Sequence, residues 1–337
     1  MTLRLAISGF GRIGRMTLRA LQEMSRDDME VVLINSPGPV ETSAHLYEFD
    51  SVHGRAGGQI SIGEDWMDIG RGKIKMSRER DPAQIPHAAH KIDIVLECSG
   101  KFNSRDQSAA HLTAGAKKVL VSAPCKNADM TVVYGVNHDQ LNAGVDIVSN
   151  ASCTTNCLAP VAKVLADTVG IEAGYMTTIH AYTGDQPTLD SSHKDLRRAR
   201  AAAMSMIPTS TGATSAVGEV LPTLIGTMNG SAIRVPTANV SVVDLVVTTS
   251  RDTSLDEINQ AFRDAANGSM HGVLGINERP LVSIDFNHDP HSSVADLTQT
   301  NVANKRFVRV LAWYDNEWGF SCRMLDTAAA MAKYLQK

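Results

Sequence analysis

The feature that most limits the fold is the pattern G-x-G-x-x-G close to the N-terminus, present as GFGRIG at residues 9–14. The apolar run LRLAIS (3–8) before it predicts a buried strand, and residues 9–24 turn into an amphipathic helix. In a strand–turn–helix setting, such glycines let the backbone approach a pyrophosphate, whose charge then lies at the helix N-terminus. The pattern predicts a dinucleotide-binding domain, with a purely structural tight turn as the alternative.

Further apolar runs extend this pattern into an open sheet. Continuous apolar stretches are typical of parallel strands that are buried on both faces, and they occur at 30–35, 92–100, 117–124, 131–136 and 146–150. A helical stretch at 104–115 separates two of them. Strands that alternate with helices predict an α/β fold with a Rossmann-type, doubly wound parallel sheet.

The pattern of apolar residues changes from about residue 171, where the predicted strands are longer and apolar residues alternate with polar ones. This alternation is typical of antiparallel strands with one covered face. A helix at 254–267 opens with the capping-box pattern Ser254-x-x-Glu257, and a helix follows the last strand. We therefore expect a second domain of α+β type at 152–316 with a mostly antiparallel sheet. The dinucleotide-binding domain is expected at 1–151, completed by the C-terminal helix 317–337.

Composition excludes several classes of protein. The chain has 337 residues, 43% of them apolar and 20% charged, with a net charge of −4 and no basic block, so nucleic acid is not an expected partner. No apolar run approaches the roughly 18 residues that cross a bilayer, and the N-terminus is typical of a strand, not of a signal peptide. Five irregularly spaced cysteines argue against a secreted disulfide framework and favour a reducing cytoplasm.

Two cysteines stand four positions apart in SNASCTTNC (149–157). On one helix their Cβ atoms would lie about 5–6 Å apart, beyond the roughly 3.5–4.5 Å of a disulfide. No further Cys pair or His pair completes a metal site. Either Cys153 is a nucleophile and Cys157 packs beside it, or both are small buried apolar residues.

The position of Cys153 favours the nucleophile. It follows Ser152, a predicted N-cap, and a thiol in a first helical turn feels amide N–H groups and the helix dipole, which favour the thiolate. His180, in the predicted strand MTTIHAYTG, is a candidate base, although a lone strand histidine is more often structural. A thiol beside a nicotinamide suits aldehyde oxidation, in which a hemithioacetal loses hydride and becomes a thioester.

Longer motifs carry a family resemblance over essentially the whole chain. They are GFGRIGR (9–15), YEFDSVHGR (47–55), SNASCTTNCLAP (149–160), TTIHAYTGDQ (177–186), DLRRARAAA (195–203), IPTSTGA (207–213), IRVPTANVSVVDL (233–245) and WYDNEWGFS (313–321). With these motifs the sequence resembles the phosphorylating glyceraldehyde-3-phosphate dehydrogenases.

The resemblance implies a function in glycolysis or gluconeogenesis. That function is NAD(P)-dependent oxidative phosphorylation of D-glyceraldehyde 3-phosphate to 1,3-bisphosphoglycerate, in a cytoplasmic homotetramer without metal, membrane or nucleic acid. It implies Cys153 as nucleophile and His180 as base. The implied substrate-phosphate site is Thr183, Asp185 and Arg234, and the implied inorganic-phosphate site is Ser152, Thr154, Arg198, Thr211 and Gly212. Asn316 would hold the nicotinamide carboxamide. The other implied cofactor residues are the motif glycines Gly9, Gly11 and Gly14 with Arg12, Ile13, Arg80, Ser99, Gly100 and Ser122.

One departure from the family concerns the choice of cofactor. Ser36 stands where NAD-using members have an Asp that binds the adenosine ribose and repels the 2′-phosphate of NADP. Because Ser36 carries no charge, we expect use of both NAD and NADP with a preference for NADP. The long polar segment 183–206, with Ser191 and Ser192 where NAD-dependent members tend to have Leu-Pro, is expected to be functional.

Two other functions compete with this interpretation. TVVYGVNHDQL (131–141) and FNHDPHS (286–292) lean towards erythrose-4-phosphate dehydrogenase, a close relative. The other alternative is a non-catalytic nucleotide-binding scaffold on the same fold. Retention of the thiol, the histidine and the implied phosphate ligands argues against the scaffold.

Overall fold

The computed structural model describes residues 2–335, which form two compact units. The first unit comprises the chain up to Val132, then His138–Ala151, and the chain from Ser321 on. The second comprises Val133–Asn137 and Ser152–Phe320.

The first unit is built on a parallel sheet of apolar strands. In spatial order its strands are β10-β11-β9-β8-β1-β2-β7-β6-β5, parallel from β10 to β7 and antiparallel at β6 and β5. The strand bounds are β1 Leu3–Ser8, β2 Met29–Asn35, β5 Ser61–Ile62, β6 Trp66–Asp68, β7 Lys73–Ser77, β8 Ile94–Glu97, β9 Lys118–Val121, β10 Met130–Thr131 and β11 Ile147–Ser149, with a separate hairpin of β3 Phe49–Asp50 and β4 Gly54–Arg55. The helices of this unit are α1 Arg12–Glu23, α2 Val40–Glu48 and α3 Arg105–Thr113.

The core of this unit is formed by apolar side chains of the parallel strands. Leu33, Val95, Val119 and Ile147 come from four different strands, are fully buried and belong to one cluster. Continuous apolar runs therefore correspond to strands covered on both faces, and the predicted parallel sheet is confirmed.

The prediction of a strand over 131–136 is wrong beyond its first residue. β10 ends at Thr131, and the chain then turns because Gly135 has φ +85° and the Asn137 side chain accepts a hydrogen bond from the Val133 amide at 2.9 Å. Apolar β-branched letters favour a strand, but a left-handed glycine and a side-chain-capped turn override that preference.

The second unit is built on a larger mixed sheet. Its spatial order is β13-β14-β12-β15-β19-β17-β16, and β18 pairs with β19. The strand bounds are β12 Ile171–Ala181, β13 Ile207–Thr209, β14 Met228–Val235, β15 Ser241–Thr249, β16 Leu274–Asn277, β17 Ser293–Asp296, β18 Asn301–Ala303 and β19 Phe307–Tyr314. Its helices are α4 Cys153–Val169, α5 Ala213–Val220 and α6 Leu255–Asn267, and α7, Trp318–Ala332, begins in this unit and continues into the first.

The mostly antiparallel sheet expected here is confirmed, with two parallel exceptions. β12 pairs with β14 in parallel and β16 pairs with β17 in parallel, whereas β12–β15, β15–β19, β13–β14, β17–β19 and β18–β19 are antiparallel. The parallel β12–β14 pair was not expected from the alternating pattern. It places residues of the two strands side by side and, as shown below, builds the candidate site.

Three local predictions can be compared with this unit. α6 follows Ser254, whose side chain accepts from the Glu257 amide at 3.2 Å, as the capping-box pattern predicts. Residues 182–206 contain neither helix nor strand, in agreement with the predicted long loop. The terminal helix predicted over 317–337 is shorter, since α7 ends at Ala332 and residues 336–337 lie outside the described chain.

Neither a membrane span nor a metal cluster is found between residues 2 and 335. None of the helices there is both long and apolar enough to cross a bilayer. In the same range, no three His, Cys, Asp or Glu side chains come together as a metal site would require.

Candidate active site

The first turn of α4 presents Cys153. Ser152 is the N-cap, and its hydroxyl accepts from the Thr155 amide at 3.0 Å. Ala151, just before it, has φ +56°, a left-handed conformation that costs a non-glycine residue about 1–2 kcal/mol. Strain of this kind persists where surrounding contacts hold it and is common at functional sites. Here it starts the helix so that the half-buried thiol stands at its N-terminus.

Three side chains from three elements meet here: Cys153 of α4, His180 of β12 and Arg234 of β14. The Sγ atom of Cys153 lies 3.4 Å from Nε2 of His180. His180 and Arg234 are register partners on the parallel strands β12 and β14, so their side chains leave the sheet on one face. Nη1 of Arg234 lies 2.9 Å from Nδ1 of His180 and donates to the Ala181 carbonyl at 2.9 Å. A nucleophile, a ring nitrogen and a cation are thus neighbours.

The protonation of this cluster favours a neutral imidazole. Burial, followed by the positive charge of Arg234, lowers the pKa of His180 to about 3. With the Nδ1 hydrogen on the Ala181 carbonyl, 2.6 Å away, Nε2 presents its lone pair to the thiol. That tautomer is the one a general base needs.

The thiol itself is less acidic than its place on the helix predicts. Burial raises the pKa of Cys153 above its ordinary value, and it outweighs Arg234 and the Thr154 amide, which lower it. The helix start alone therefore does not supply a thiolate. A buried thiol of this kind needs an adjacent base if it is to react as a thiolate, and Nε2 of His180 is a ring nitrogen at the right distance.

Tyr314 fixes the first turn of α4 against β12. Its buried hydroxyl lies 3.0 Å from Oγ1 of Thr154 and 2.9 Å from Oγ1 of Thr178, and its ring meets the His180 ring edge to face. Sequence reasoning missed Tyr314, because its partners are distant along the chain. The Thr154 hydroxyl, implied as a phosphate ligand, is engaged in this contact.

A second support holds Asn316. The hydroxyl of Ser241 donates to Oδ1 of Asn316 at 2.8 Å and accepts from the Ala181 amide at 3.1 Å. Val240, directly before Ser241, has φ +68°, a genuine outlier for a β-branched residue. Strained backbone thus positions the residue that links Asn316 to the strand end beside His180, and sequence reasoning found neither Ser241 nor Val240.

Cys157 packs and makes no pair with Cys153. It lies one turn further along α4, is fully buried, and has Sγ 3.4 Å from the Ser293 hydroxyl. All five cysteines of the chain are free. The predicted absence of a Cys153–Cys157 disulfide is confirmed.

Arg198 belongs to a separate polar cluster in the segment 182–206. Its guanidinium donates to Asp185 at 3.1 Å, to the Thr209 hydroxyl at 3.0 Å and to the Ser210 carbonyl at 3.3 Å. Asp185 therefore contacts Arg198 directly, although the resemblance groups it with Arg234. Its charge still acts on Arg234, whose pKa it raises, against the larger lowering by burial.

The remaining implied phosphate residues flank these clusters. Thr211 accepts from the Ala213 amide at 3.2 Å, and Gly212 is the N-cap residue of α5, so both lie at a helix start next to Ser210. Thr183 lies two residues after the end of β12, and its carbonyl accepts from the Gln186 amide at 2.9 Å.

A groove in the first unit brings five of the eleven predicted cofactor residues together. Its volume is about 500 Å³, and its lining includes Gly9, Gly11, Ser36, Arg80 and Ser99 from the predicted set. Ser8, Phe10, Asn35, Pro37, Glu79, Cys98, Lys101 and Phe102 also line it. Of these, Glu79 and Lys101 were missed, and they place charge in the same groove as Ser36.

The glycine pattern explains why the groove is open. A Cβ on Gly9, where φ is +91°, would lie 2.4 Å from Cα of Ser99, and one on Gly14 would lie 2.2 Å from the Gly9 carbonyl oxygen. A Cβ on Gly11 would meet nothing within 4 Å. Gly11 is also the N-cap residue of α1 and has no side chain to cover the helix start. These residues fit a bound pyrophosphate.

Other predicted cofactor residues do not line the groove. Arg12, in the first turn of α1, pairs with the buried carboxylate of Asp50. Ile13 follows it in α1, Gly100 follows Ser99 in the loop after β8, and Ser122 lies directly after β9. Asn316 belongs to the second unit.

Comparison with known proteins agrees with both units. Residues 3–105 match the glyceraldehyde 3-phosphate dehydrogenase NAD binding domain family, and residues 152–316 match its C-terminal domain family. The chain belongs to the glyceraldehyde-3-phosphate dehydrogenase family. It is 63% identical over 333 residues to the enzyme of that name from Xanthobacter flavus, covering 99% of each chain, and 62% identical over 335 residues to that of Cereibacter sphaeroides, covering 99% of this chain and 100% of the relative. The protein of that name from Pseudomonas aeruginosa is 57% identical over 333 residues, or 98% of this chain and 99% of the relative.

Membership of the glyceraldehyde-3-phosphate dehydrogenase family confirms two predictions. The resemblance found in the sequence motifs is correct, and the protein is an oxidoreductase that acts on an aldehyde with a nicotinamide cofactor. Nothing in the comparisons favours erythrose-4-phosphate dehydrogenase.

Proposed function

We propose that this protein catalyses the NAD(P)-dependent oxidative phosphorylation of D-glyceraldehyde 3-phosphate to 1,3-bisphosphoglycerate. The observation that carries the proposal is the cluster of Cys153, His180 and Arg234, in which a helix-start thiol lies 3.4 Å from a neutral ring nitrogen next to a cation. A bound nicotinamide supplies the hydride acceptor. The unit before Ser152 serves as the dinucleotide-binding domain and residues 152–316 as the catalytic domain.

The side chains divide the chemistry among themselves. His180 accepts the thiol proton through Nε2 as Sγ bonds to the aldehyde carbon, and a hemithioacetal forms. His180 returns that proton to the aldehyde oxygen and takes the hydroxyl proton back as hydride leaves the carbon for the nicotinamide, so a thioester remains on Cys153 and a proton on His180. Inorganic phosphate then attacks the thioester carbon, the C–S bond breaks, and the acyl phosphate leaves while the thiol regains its proton.

Two phosphate groups must be held during this sequence. We assign the substrate phosphate to Thr183 and Arg234. Asp185, which the resemblance groups with them, would not bind phosphate directly, since a carboxylate repels it; it accepts from Arg198 and orients that guanidinium. We assign inorganic phosphate to Ser152, Arg198, Thr211 and Gly212. Hydroxyls, amides and guanidinium groups are the donors that bind phosphate oxygens. Thr154 can contribute its backbone, because its hydroxyl contacts Tyr314.

The dinucleotide would be held by the groove residues and by Asn316. Gly9, Gly11, Ser99 and Arg80 suit the pyrophosphate and adenosine, and Asn316 suits the carboxamide of the ring. Arg12, Ile13, Gly14, Gly100 and Ser122 would support the groove from its edges.

Cofactor choice is proposed to favour NADP while allowing NAD. Ser36 shares the groove with Arg80 and Lys101, two cations that suit a 2′-phosphate, and with Glu79, which opposes it. An Asp at position 36 would repel that phosphate. The test is kcat/KM with NAD and NADP on the native protein and on Ser36→Asp, which should shift the ratio towards NAD about tenfold or more. A native protein that already prefers NAD a hundredfold would contradict the proposal.

We also propose a cytoplasmic homotetramer. Four large apolar side chains of the segment 182–206 are strongly exposed in the single chain, Leu189, Leu196, Met204 and Met206, at 73–82%. A polar loop with so many exposed apolar side chains is typical of a surface covered by another subunit. Sedimentation equilibrium of the native protein checks the subunit number.

The reaction itself is tested by absorbance at 340 nm. Purified protein is mixed with NAD or NADP and either D-glyceraldehyde 3-phosphate or D-erythrose 4-phosphate, with and without inorganic phosphate. We expect phosphate-dependent reduction with the first aldehyde. Faster turnover of the second would support erythrose-4-phosphate dehydrogenase, and reduction with neither would support the scaffold.

A further inference from the structure

A buried chain of three polar side chains lies beside the groove of the first unit. Glu97, the last residue of β8, accepts through Oε1 from the Ser99 amide at 2.8 Å and from the Ser99 hydroxyl. Its Oε2 lies 2.9 Å from Nε2 of His111, and Nδ1 of His111 lies 3.0 Å from Nε2 of His87. All three side chains are 0–1% exposed. None of them takes part in the chemistry proposed above.

Among these three side chains, only one assignment of donors and acceptors satisfies the hydrogen bonds well. Oε1 accepts twice from Ser99, so the carboxylate acts as an acceptor, and His111 donates to it from Nε2. Nδ1 of His111 is then a lone pair and accepts from His87. In this direction Nδ1 of His87, which has no partner among residues 2–335, carries only a lone pair. The opposite direction would bury an unpartnered N–H, which costs more.

The protonation of His87 agrees with this direction. Burial, and then the neighbouring His111 and His90, lower the pKa of His87 to about 3. A neutral His87 has one N–H, which it gives to His111. It thereby fixes the His111 tautomer that holds Glu97.

The hydrogen-bonded side chains Glu97, His111 and His87 contact the groove through the loop 98–102, at Ser99 and at Phe102. Ser99, which Glu97 holds, lines the groove and packs so closely on Gly9 that a Cβ there would clash. Phe102 lines the groove as well. Its ring meets the His111 ring edge to face at 6.4 Å, and its carbonyl accepts from the Ser108 hydroxyl at 2.9 Å. Helix α3, which carries Ser108 and His111, therefore supports the loop through both.

We propose that His111 is a positioning residue for dinucleotide binding, because it links Glu97 and Phe102 and so holds the loop 98–102 in the shape that lines the groove. A loop that is ordered before binding loses less entropy when the ligand arrives. The proposal rests on the proposed function only in that the dinucleotide is the ligand.

The test compares His111→Leu with Val119→Ala, a core truncation in the same unit that contacts neither Glu97 nor Ser99 through a hydrogen bond. The Kd for NAD and NADP is measured by quenching of protein fluorescence, and hydrogen exchange is followed on the peptide containing Ser99. For His111→Leu we expect a Kd and a dinucleotide KM raised about three- to tenfold, the effect of one or two lost hydrogen bonds. We also expect faster exchange at Ser99, with kcat at saturating dinucleotide within about twofold of the native value. His111→Gln retains one donor and one acceptor and should recover part of the affinity.

Several results would overturn this proposal. An unchanged Kd in His111→Leu, or an equal rise in Val119→Ala at matched loss of thermal stability, would reduce His111 to a packing residue. If His111→Leu does not fold, His87→Leu replaces it and should raise the Kd in the same direction by a smaller factor; an unchanged Kd there also counts against the proposal. Native protein that binds neither dinucleotide would refute the proposed function instead.

Discussion

Helices α1 and α4 both begin four residues after the last residue of a parallel strand, yet their first turns are built in opposite ways. Before α1 the chain turns left-handed at Gly9, and the N-cap is Gly11, with open space where a side chain would stand. Before α4 it turns left-handed at Ala151, and the N-cap is Ser152, whose hydroxyl occupies the helix start.

The difference shows what each turn can hold. A turn of glycines leaves amide N–H groups exposed, so it suits a ligand phosphate that comes close to the backbone. In the turn with Ala151 and Ser152, the backbone is strained and the Ser152 hydroxyl accepts from the Thr155 amide. Such a turn is suited to holding one side chain in a fixed position. Cys153 is that side chain, and Thr154 with Tyr314 keeps the turn from moving.

The largest effect should come from removing the nucleophile at α4. Cys153→Ser should reduce dehydrogenase activity about 10⁴-fold or more, because a hydroxyl cannot replace the thiolate. Dinucleotide affinity, which depends on α1, should be unchanged. Steady-state rates at 340 nm and fluorescence titration measure the two quantities.

Cys157→Ser is the matched control for this substitution. It changes the same atom one turn further along α4, where Sγ contacts Ser293 and the Ala312 carbonyl. Activity should stay within about a few fold of native. A comparable loss of activity in both variants would mean that Cys153 is not the special thiol.

The next effect should come from the base. His180→Asn should slow the chemical step about 10²–10⁴-fold, because no neutral ring nitrogen remains 3.4 Å from the thiol. Single-turnover kinetics report the step directly. Alkylation of Cys153 by iodoacetamide should slow as well, and equal alkylation rates in the variant and the native protein would exclude His180 as the base.

Substitutions of the two arginines should then raise the KM of different substrates. Arg234→Leu should mainly raise KM for the aldehyde phosphate, and Arg198→Leu should mainly raise KM for inorganic phosphate, each about ten- to a hundredfold for one or two charge-assisted hydrogen bonds. Arg234 also contacts His180, so its variant should lose kcat too. Identical profiles for the two variants would refute the assignment to different phosphates.

These side chains also show how far a sequence can be interpreted. The motif GFGRIG, the apolar runs and the SNASC segment were sufficient for the fold class, the groove and the place of Cys153 at a helix start, because each depends on neighbours within one or two turns of chain. Their signals are local. The failed strand over 131–136 was also judged locally, but the left-handed Gly135 and the Asn137 cap carry no apolar signal.

Residues that act through distant partners could not be found in this way. Tyr314 matters because it contacts Thr154, 160 positions earlier. His111 of α3 matters because it contacts Glu97 of β8 and His87 of the turn before that strand. A tyrosine at a strand end and a histidine in a helix are typical of ordinary packing. The parallel pairing that places Arg234 beside His180 likewise depends on sheet order, which alternation does not encode.

A smaller effect should distinguish two glycines of the α1 turn. Gly11→Ala places a methyl group in open space, so thermal stability should change little while the Kd for the dinucleotide rises about tenfold, since the methyl occupies the approach to the backbone. Gly14→Ala should mainly lower the Tm, because its Cβ would lie 2.2 Å from the Gly9 carbonyl oxygen. Thermal melts and fluorescence titrations on both variants measure this; a Gly11→Ala protein with native affinity would mean that the open side of the turn is not used.

The smallest effect concerns the strained residue of the α4 turn. Ala151→Gly removes a left-handed strain of about 1–2 kcal/mol but adds chain entropy to the unfolded state worth about 0.5–1 kcal/mol. Loss of the fully buried methyl group costs about 0.8 kcal/mol more, so the free energy of unfolding should change by less than about 1 kcal/mol in either direction. Ala166→Gly, in the same helix with ordinary helical geometry, should lower it by about 1 kcal/mol. Denaturant unfolding of the two variants compares them directly. If Ala151→Gly is destabilised as much as Ala166→Gly, the left-handed turn before Cys153 stores no strain. The turns at Gly9 and Ala151 would then differ in residue type but not in backbone strain.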